Sequence, residues 1–442
     1  MLNKQQKQLH ITTLGAGILS TLAYLYLCIN SQYYGDATLS QMLSVSVLCA
    51  CLCAIVWLQQ YYSQQNISIA MVLGFAVLFR VIGLFAFPIL EDDAFRYLWD
   101  GRQTILNGTP YTLPPSAFFD DETINGRFED ILDTINYPHV ATVYGPASQW
   151  VFAFSYLIAP GEIWPLQLIF ALADIGIILL LLRFAKPSAV LLYAWCPLII
   201  KEFAFTAHPD VFGAFLMVCA LYAYQKKQSI SVGILMALAT GIKIFPLLIL
   251  PFLLQFNWRG WLAFVITIVG IALPFGVQQA WFPEGLKVMS GDWFFNAPLY
   301  LSYIQLTPNG YSSTTLKVFL LLSLAVGCGS ALLIHLYKHL KDTDLRTLPR
   351  GDLLFGFFFL CLPALNPWYL VWMLPFAAIK PSLWAWAASL MLLMSYISGI
   401  NLGTSDLGSY QIPNWVLILQ FGTIFAALLG DLIIHRKKSA AL

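Results

Sequence analysis

The sequence predicts an all-α, polytopic membrane protein. Three observations carry that reading. Hydrophobic residues make up 59% of the 442 and charged residues only 10%. The mean hydropathy is +0.73. The apolar residues gather in runs of membrane-crossing length instead of alternating with polar ones, so the bilayer is this chain's main solvent. A net charge of +1 gives no electrostatic footprint for nucleic acid. The eight cysteines lie within apolar runs and lack CxxC metal or redox spacing, so they read as packing residues.

In chain order, the spans fall at 11–30, 41–58, 67–87, 166–183, 188–205, 210–224, 261–275, 312–334, 352–366, 382–400 and 414–434. The polar start MLNKQQKQLH followed by the first run imitates a signal peptide. No small-residue cleavage site follows it and a second run comes soon after, so a retained helix is expected. Shorter or broken runs sit at 146–159, 230–254 and 369–379. Lys4 and Lys7, Arg183 and Lys186, Lys226 and Lys227, Arg259, the Lys338–Arg350 segment and Arg436–Lys438 are assigned to the cytoplasm, with both termini. Three spans then bring the chain outside just before Glu91. Parity next makes 146–159 a juxtamembrane helix and splits 230–254, interrupted by Gly241, Lys243 and Pro246, into two half-spans. The result is about 12–14 crossings. Three outer features remain: residues 88–165, the turn at His208 and residues 276–311. With no repeat and no Ser/Gly-rich linker, the chain reads as one domain, 1–442.

The first outer feature opens on EDDAFRYLWDGRQTILNGTPY, where six charges follow directly on an apolar span. Were 92–100 helical, Asp92, Arg96 and Asp100 would share one face, with Asp93 and Tyr97 on the next. Such a face sets acids beside a cation. The bland alternative is a solvated helix with internal ion pairs. At the second feature, KEFAFTAHPDVFG, Glu202, His208 and Asp210 fall near one membrane face. Asp210 at a helix start is also a ready cap for backbone N–H groups, which leaves Glu202 and His208 unexplained. Should the acidic loop fold over this turn, Asp92 or Asp93 and Asp210 could share Mg²⁺ or Mn²⁺, cations that take oxygen ligands.

Lys243 lies deep in ATGIKIFPLL, where an ammonium calls for an anion or snorkels to the interface. Phosphate is the natural anion, and Arg96, Arg102 and Arg127 are alternative partners for it. The segments GDWFFNAPLYLSYIQ and LPALNPWYLVWMLP place Asp292, Trp293, Asn296 and Tyr300, and Asn366, Trp368 and Tyr369, toward one side. Aromatic rings beside amides suit a sugar, whose C–H faces stack and whose hydroxyls bond. Interfacial Trp and Tyr belts give the same composition without a site.

These segments resemble bacterial GT-C-fold membrane glycosyltransferases, in particular the mannosyltransferase group around glycosyltransferase family 87. The resemblance rests on the acidic loop, on INYPHVATVYGPASQWVFA, and on the AHPD, WFFN and NPWY segments in order, over most of 67–380. The two helices before residue 67 fall outside it. It implies a GT-C-like fold and inverting transfer of a hexose, with mannose favoured. The donor would be a polyprenyl phosphate and the acceptor a glycan, lipid or protein hydroxyl on the extracytoplasmic face of a bacterial inner membrane. Carried over by position, Asp92 or Asp93 is the general base, Glu91 the lesser candidate. The other acid of the pair binds metal or orients Arg96. Lys243, Arg96 and Arg102 are candidates for the leaving phosphate. Tyr97, Asp100, His139, Tyr144, Glu202, His208, Asn296, Asn366, Trp368 and Tyr369 complete the substrate-binding set. The chain departs from the family pattern at Tyr144-Gly145-Pro146, where relatives carry YPP, so the loop shape there does not follow from the resemblance. A lipid-linked glycan ligase or polymerase is the near alternative, though those enzymes usually lack an early paired-acid loop. A secondary transporter would show repeats and midplane charges.

Overall fold

The computed structural model describes residues 3–33, 35–276, 294–306, 313–341, 347–398 and 412–440. The chain is 76% helical, and the described residues form no strand, only the isolated bridge between Phe295 and Ala364. Six described helices are long and apolar enough to cross a membrane, or seven with one bent pair, and five further apolar helices have 10–17 residues.

Helices α1 (Lys4–Ile29) and α2 (Leu39–Ser63) pack on each other. A capping box starts α2: Thr38 Oγ1 accepts from the Gln41 N–H while the Gln41 side chain accepts from Thr38 N–H. The outer faces of the pair leave Ile18, Leu22, Leu48 and Ile55 exposed, as lipid contact requires. Helix α3 (Ile69–Gly83) stops short of the predicted span end at 87. The chain then turns through Leu90, at φ 55°, into the acidic segment.

Three helices build the loop that follows: α4 (Asp93–Leu106), α5 (Arg127–Thr134) and α6 (Pro146–Ile158). The expected helix over 92–100 is present, with Asp92 as its N-cap residue. Gly101 lets α4 lie directly on α6, since a Cβ there would sit 2.4 Å from the Phe152 carbonyl oxygen. Next come α7 (Trp164–Leu181), α8 (Pro187–Ala194) and α9 (Pro197–Phe205).

The continuous span expected at 188–205 is instead this bent pair, kinked by 44°. Pro197 has no N–H to give and holds Cys196 extended, which ends α8. Buried Arg80 closes the break. Its Nη1 donates to the Ala194 carbonyl at 2.5 Å and its Nε to Asp174 Oδ2 at 2.9 Å.

Helices α10 (Asp210–Gln225), α11 (Ser229–Ile242), α12 (Leu250–Leu254) and α13 (Trp258–Gly276) follow, with α11 packed between α10 and α13. The predicted interruption of 230–254 falls at Lys243, which ends α11 in extended conformation. Of the later runs, 352–366 is helical only over Gly351–Leu360, and 382–400 becomes Leu383–Met391 plus a 3₁₀ stretch, Leu392–Ser398. Asp292 and Trp293 lie outside the described residues.

Candidate active site

Four breaks in helical structure converge. The N-terminus of α4 supplies the acids, the α9–α10 turn supplies His208 and Asp210, the end of α11 supplies Lys243, and Asn366–Trp372 supplies an amide and aromatic rings.

Glu91, Asp92 and Asp93 each offer a carboxylate oxygen, and these three atoms lie within 4.8 Å of one another. Glu91 and Asp92 are fully buried, while Asp93 is only partly so. Asn136 Nδ2 donates to Asp92 Oδ1 at 2.6 Å and to Asp93 Oδ1 at 3.2 Å. Tyr144 Oη donates to Asp93 Oδ2 at 3.1 Å, and Tyr97 Oη lies 3.4 Å from the same oxygen. Desolvation pushes the Asp93 carboxyl above the usual carboxylate range, against the opposing effect of its Asn136 and Tyr144 bonds.

The Tyr144 loop is tightly held. Gly145 approaches Gly241 so closely that a Cβ would sit 2.3 Å from the Gly241 carbonyl oxygen, and Gln149 Nε2 bonds Thr142 Oγ1 at 3.1 Å. The departure from the YPP pattern therefore serves a backbone contact that brings Tyr144 to the α11 break.

The α9–α10 turn is joined to this loop. Tyr97 Oη and His208 Nδ1 are 3.0 Å apart, and the His208 ring stacks on Trp368 with centroids 4.0 Å apart and planes at 12°. Burial drives the imidazole far below its usual range, with Lys201 and Lys243 adding to the effect, so the ring is neutral. Behind it Glu202 Oε2 lies 3.4 Å from His208 Nε2. Glu202 also pairs with Lys201 at 3.2 Å and accepts from Tyr396 Oη at 2.9 Å.

Asp210 does not cap α10; no side-chain cap bond forms there. Its carboxylate instead accepts from Lys243 Nζ at 3.0 and 3.3 Å and from Trp372 Nε1 at 2.8 Å. Lys243 Nζ also lies 3.8 Å above the Tyr369 ring. Of the acids expected to share a cation, Asp210 is engaged by Lys243, while Asp92 and Asp93 group with Glu91. That all-oxygen set suits Mg²⁺ or Mn²⁺.

The arginine candidates for phosphate are engaged elsewhere. Arg96 donates to the carbonyls of Val140, Asn136 and Tyr137 at 3.0, 3.3 and 3.1 Å, pinning the loop that carries Asn136. Arg102 lies over the Trp99 and Phe128 rings, and Arg127 pairs with Glu162 at the surface. Asp100 sits two turns along α4 from Asp93. It is buried against Gln149 Nε2 at 3.0 Å, and desolvation pushes its carboxyl up to about 6. His139 is exposed. Asn296 Nδ2 donates to the Leu365 carbonyl at 3.4 Å, and Asn366 Nδ2 to Tyr369 Oη at 3.2 Å.

Sequence reasoning missed Lys201, Tyr396, Trp372 and Asn136. Lys201 had a usable signal, a cation beside Glu202 within an apolar run. The two aromatics had none, since each stands in an apolar run that holds other aromatics.

The model of the MptA_B family, described as alpha-(1->6)-mannopyranosyltransferase, N-terminal domain, matches residues 8–259, and the chain belongs to that family. The match begins within α1, so the two N-terminal helices belong to the family and are not an addition to it. No curated protein and no solved structure matches the chain. Membership of a mannosyltransferase family sets the transporter alternative aside.

Proposed function

We propose that this protein moves a mannosyl residue from a polyprenyl-phosphate donor to an acceptor hydroxyl, with inversion, at the extracytoplasmic face of a bacterial inner membrane. Asp93 is the general base. The observation that carries this is its setting: of the three grouped acids it alone is partly open, and Tyr144, Tyr97 and Asn136 orient it.

The acceptor oxygen bonds to the anomeric carbon as its proton passes to Asp93, and the carbon–oxygen bond to phosphate breaks with its electron pair remaining on the phosphate. A carboxyl raised by burial holds that proton more readily. Lys243 is the cation for the leaving phosphate, exchanging Asp210 for it; its side chain is 24% exposed, whereas Lys201 is enclosed. A linkage like the one in the family's description would make the acceptor group a 6-hydroxyl. Inversion to an α product then demands a β-linked donor.

An apolar groove near the α11 break supports a lipid-linked donor. The groove, wholly apolar and of about 410 Å³, is lined by residues that include Ala147, Trp150, Phe154, Phe212 and Ile271. Ala147 and Ile271 pack against Gly241, two residues before Lys243. Glu91 and Asp92 would hold Mg²⁺ or Mn²⁺, which would supply positive charge for the leaving phosphate.

The test is transfer of radiolabelled mannose from polyprenyl-phosphate-mannose to extracted membrane glycans. Asp93→Asn is expected to lose roughly 10²-fold or more of the rate at normal expression. Full activity in that variant would remove Asp93 as the base. Wild-type protein that transfers nothing would end the donor assignment.

A further inference from the structure

The family match ends at residue 259, yet two buried amides beyond it are built into the same site. The parallel bridge between Phe295 and Ala364 ties two distant segments: Phe295 N donates to the Pro363 carbonyl at 3.0 Å, and Leu365 N to the Phe295 carbonyl at 2.9 Å. Asn296 follows Phe295 directly, and Asn366 stands two residues beyond Ala364. Asn296 is 1% and Asn366 5% exposed. Each amide nitrogen is used locally, on the Leu365 carbonyl and on Tyr369 Oη. Each amide oxygen is enclosed, and among the described residues it has no partner. A buried acceptor without a donor is destabilising, so two on adjoining segments ask for a ligand that brings hydrogen-bond donors.

Their neighbours say which ligand. Tyr369, bonded to Asn366, is the ring under Lys243, the proposed phosphate cation. Trp368 stacks on His208, which bonds Tyr97 beside the base. Asn366 therefore stands in the segment that joins the proposed base to the proposed phosphate cation, and Asn296 bonds its neighbour Leu365.

We infer that Asn296 and Asn366 form the sugar subsite, their amide oxygens accepting hydrogen bonds from ring hydroxyls of the transferred hexose. This rests on the hexosyl-transfer reading and adds its specificity element. A carbonyl oxygen can accept but never donate, so the subsite selects for free hydroxyls and against deoxy sugars.

The test is binding of methyl β-mannopyranoside and its monodeoxy derivatives to detergent-solubilised full-length protein, read by saturation-transfer NMR, with mannosyl transfer measured alongside. At least one deoxy derivative is expected to bind wild type roughly tenfold to a hundredfold more weakly than the parent sugar. Asn366→Leu or Asn296→Leu, checked for unchanged thermal unfolding, should weaken the parent sugar equally and abolish that one penalty. The wild-type deoxy series decides without any variant if either fails to fold. No binding at saturating sugar, no deoxy penalty in wild type, or penalties unchanged in both variants would overturn the subsite. Intact binding with no transfer from any polyprenyl-phosphate sugar counts against the donor assignment and leaves the subsite standing.

Discussion

Removing Lys243 separates its two roles. In Lys243→Met, Asp210 keeps only the Trp372 N–H, at 2.8 Å, and its side chain is 3% exposed, so an uncompensated carboxylate is left in the interior. Breaking a buried pair in this way destabilises by roughly 3–5 kcal/mol. Lys243 is 24% exposed, so solvent already screens part of the pair, and the lower end, about 3 kcal/mol, is expected.

Adding Asp210→Asn to the same chain removes the stranded charge and keeps an oxygen for Trp372. Stability should return to within about 1 kcal/mol of wild type. Activity should not return, because the cation proposed for the leaving phosphate is still missing; a single preorganised electrostatic contact of this kind is worth roughly 10²–10³ in rate. Thermal unfolding in detergent and mannosyl transfer, measured on the same preparations, read the two effects. The reasoning is refuted if the double variant transfers at the wild-type rate, or if Lys243→Met unfolds no earlier than wild type.

Tyr144→Phe removes the 3.1 Å bond to Asp93 and should lower kcat roughly tenfold at unchanged KM, measured by initial rates. Asp100→Asn tests a buried acid. The folded pKa of Asp100, about 6, stands above the ordinary 3.8, so the stability tied to its neutral form is complete below about pH 4 and lost as pH rises through 6. Wild type should lose about 3 kcal/mol over that window relative to the Asp100→Asn variant, as unfolding temperatures against pH would show. Gly101→Ala drives a methyl against the Phe152 carbonyl and should destabilise by about 1–3 kcal/mol through forced separation of α4 and α6, read as an earlier unfolding midpoint.

What could be read from the sequence divides along a physical line. Span positions, the acidic helix and the interruption at Lys243 are local: hydrophobic runs, proline and charge announce them within a few residues. The bend at Pro197 was equally local, but the apolar run continues across it, and hydropathy does not register a proline. The pairings were beyond reach. Asp210 at a helix start has the same sequence signature as a cap or as half of an ion pair, and only the position of Lys243, thirty-three residues on, decides. Arg96 likewise offered itself to phosphate until three carbonyls of a loop forty residues away took its N–H groups.

The site also explains where this bundle tolerates irregular backbone. Unpaired peptide groups are too costly to face lipid, so breaks in a membrane helix persist only where protein or a polar cavity surrounds them. Among the described residues seven non-glycine residues have positive φ: Leu90, Tyr137, Ala207 and Asn296 are each a candidate site residue or within one residue of one or of Asn136, while Gln64, Lys227 and Gln255 follow helix ends away from the site. Conformations of this kind hold only where their surroundings impose them. At Leu90 and Ala207 the imposing contacts are the ones that aim the next residues, Glu91 and His208, into the buried cluster. A substitution that relieved the backbone at Ala207, such as glycine, would be expected to stabilise the turn and yet loosen the Tyr97–His208–Trp368 stack. Position of the catalytic groups, not stability of the bundle, is therefore what these four residues secure.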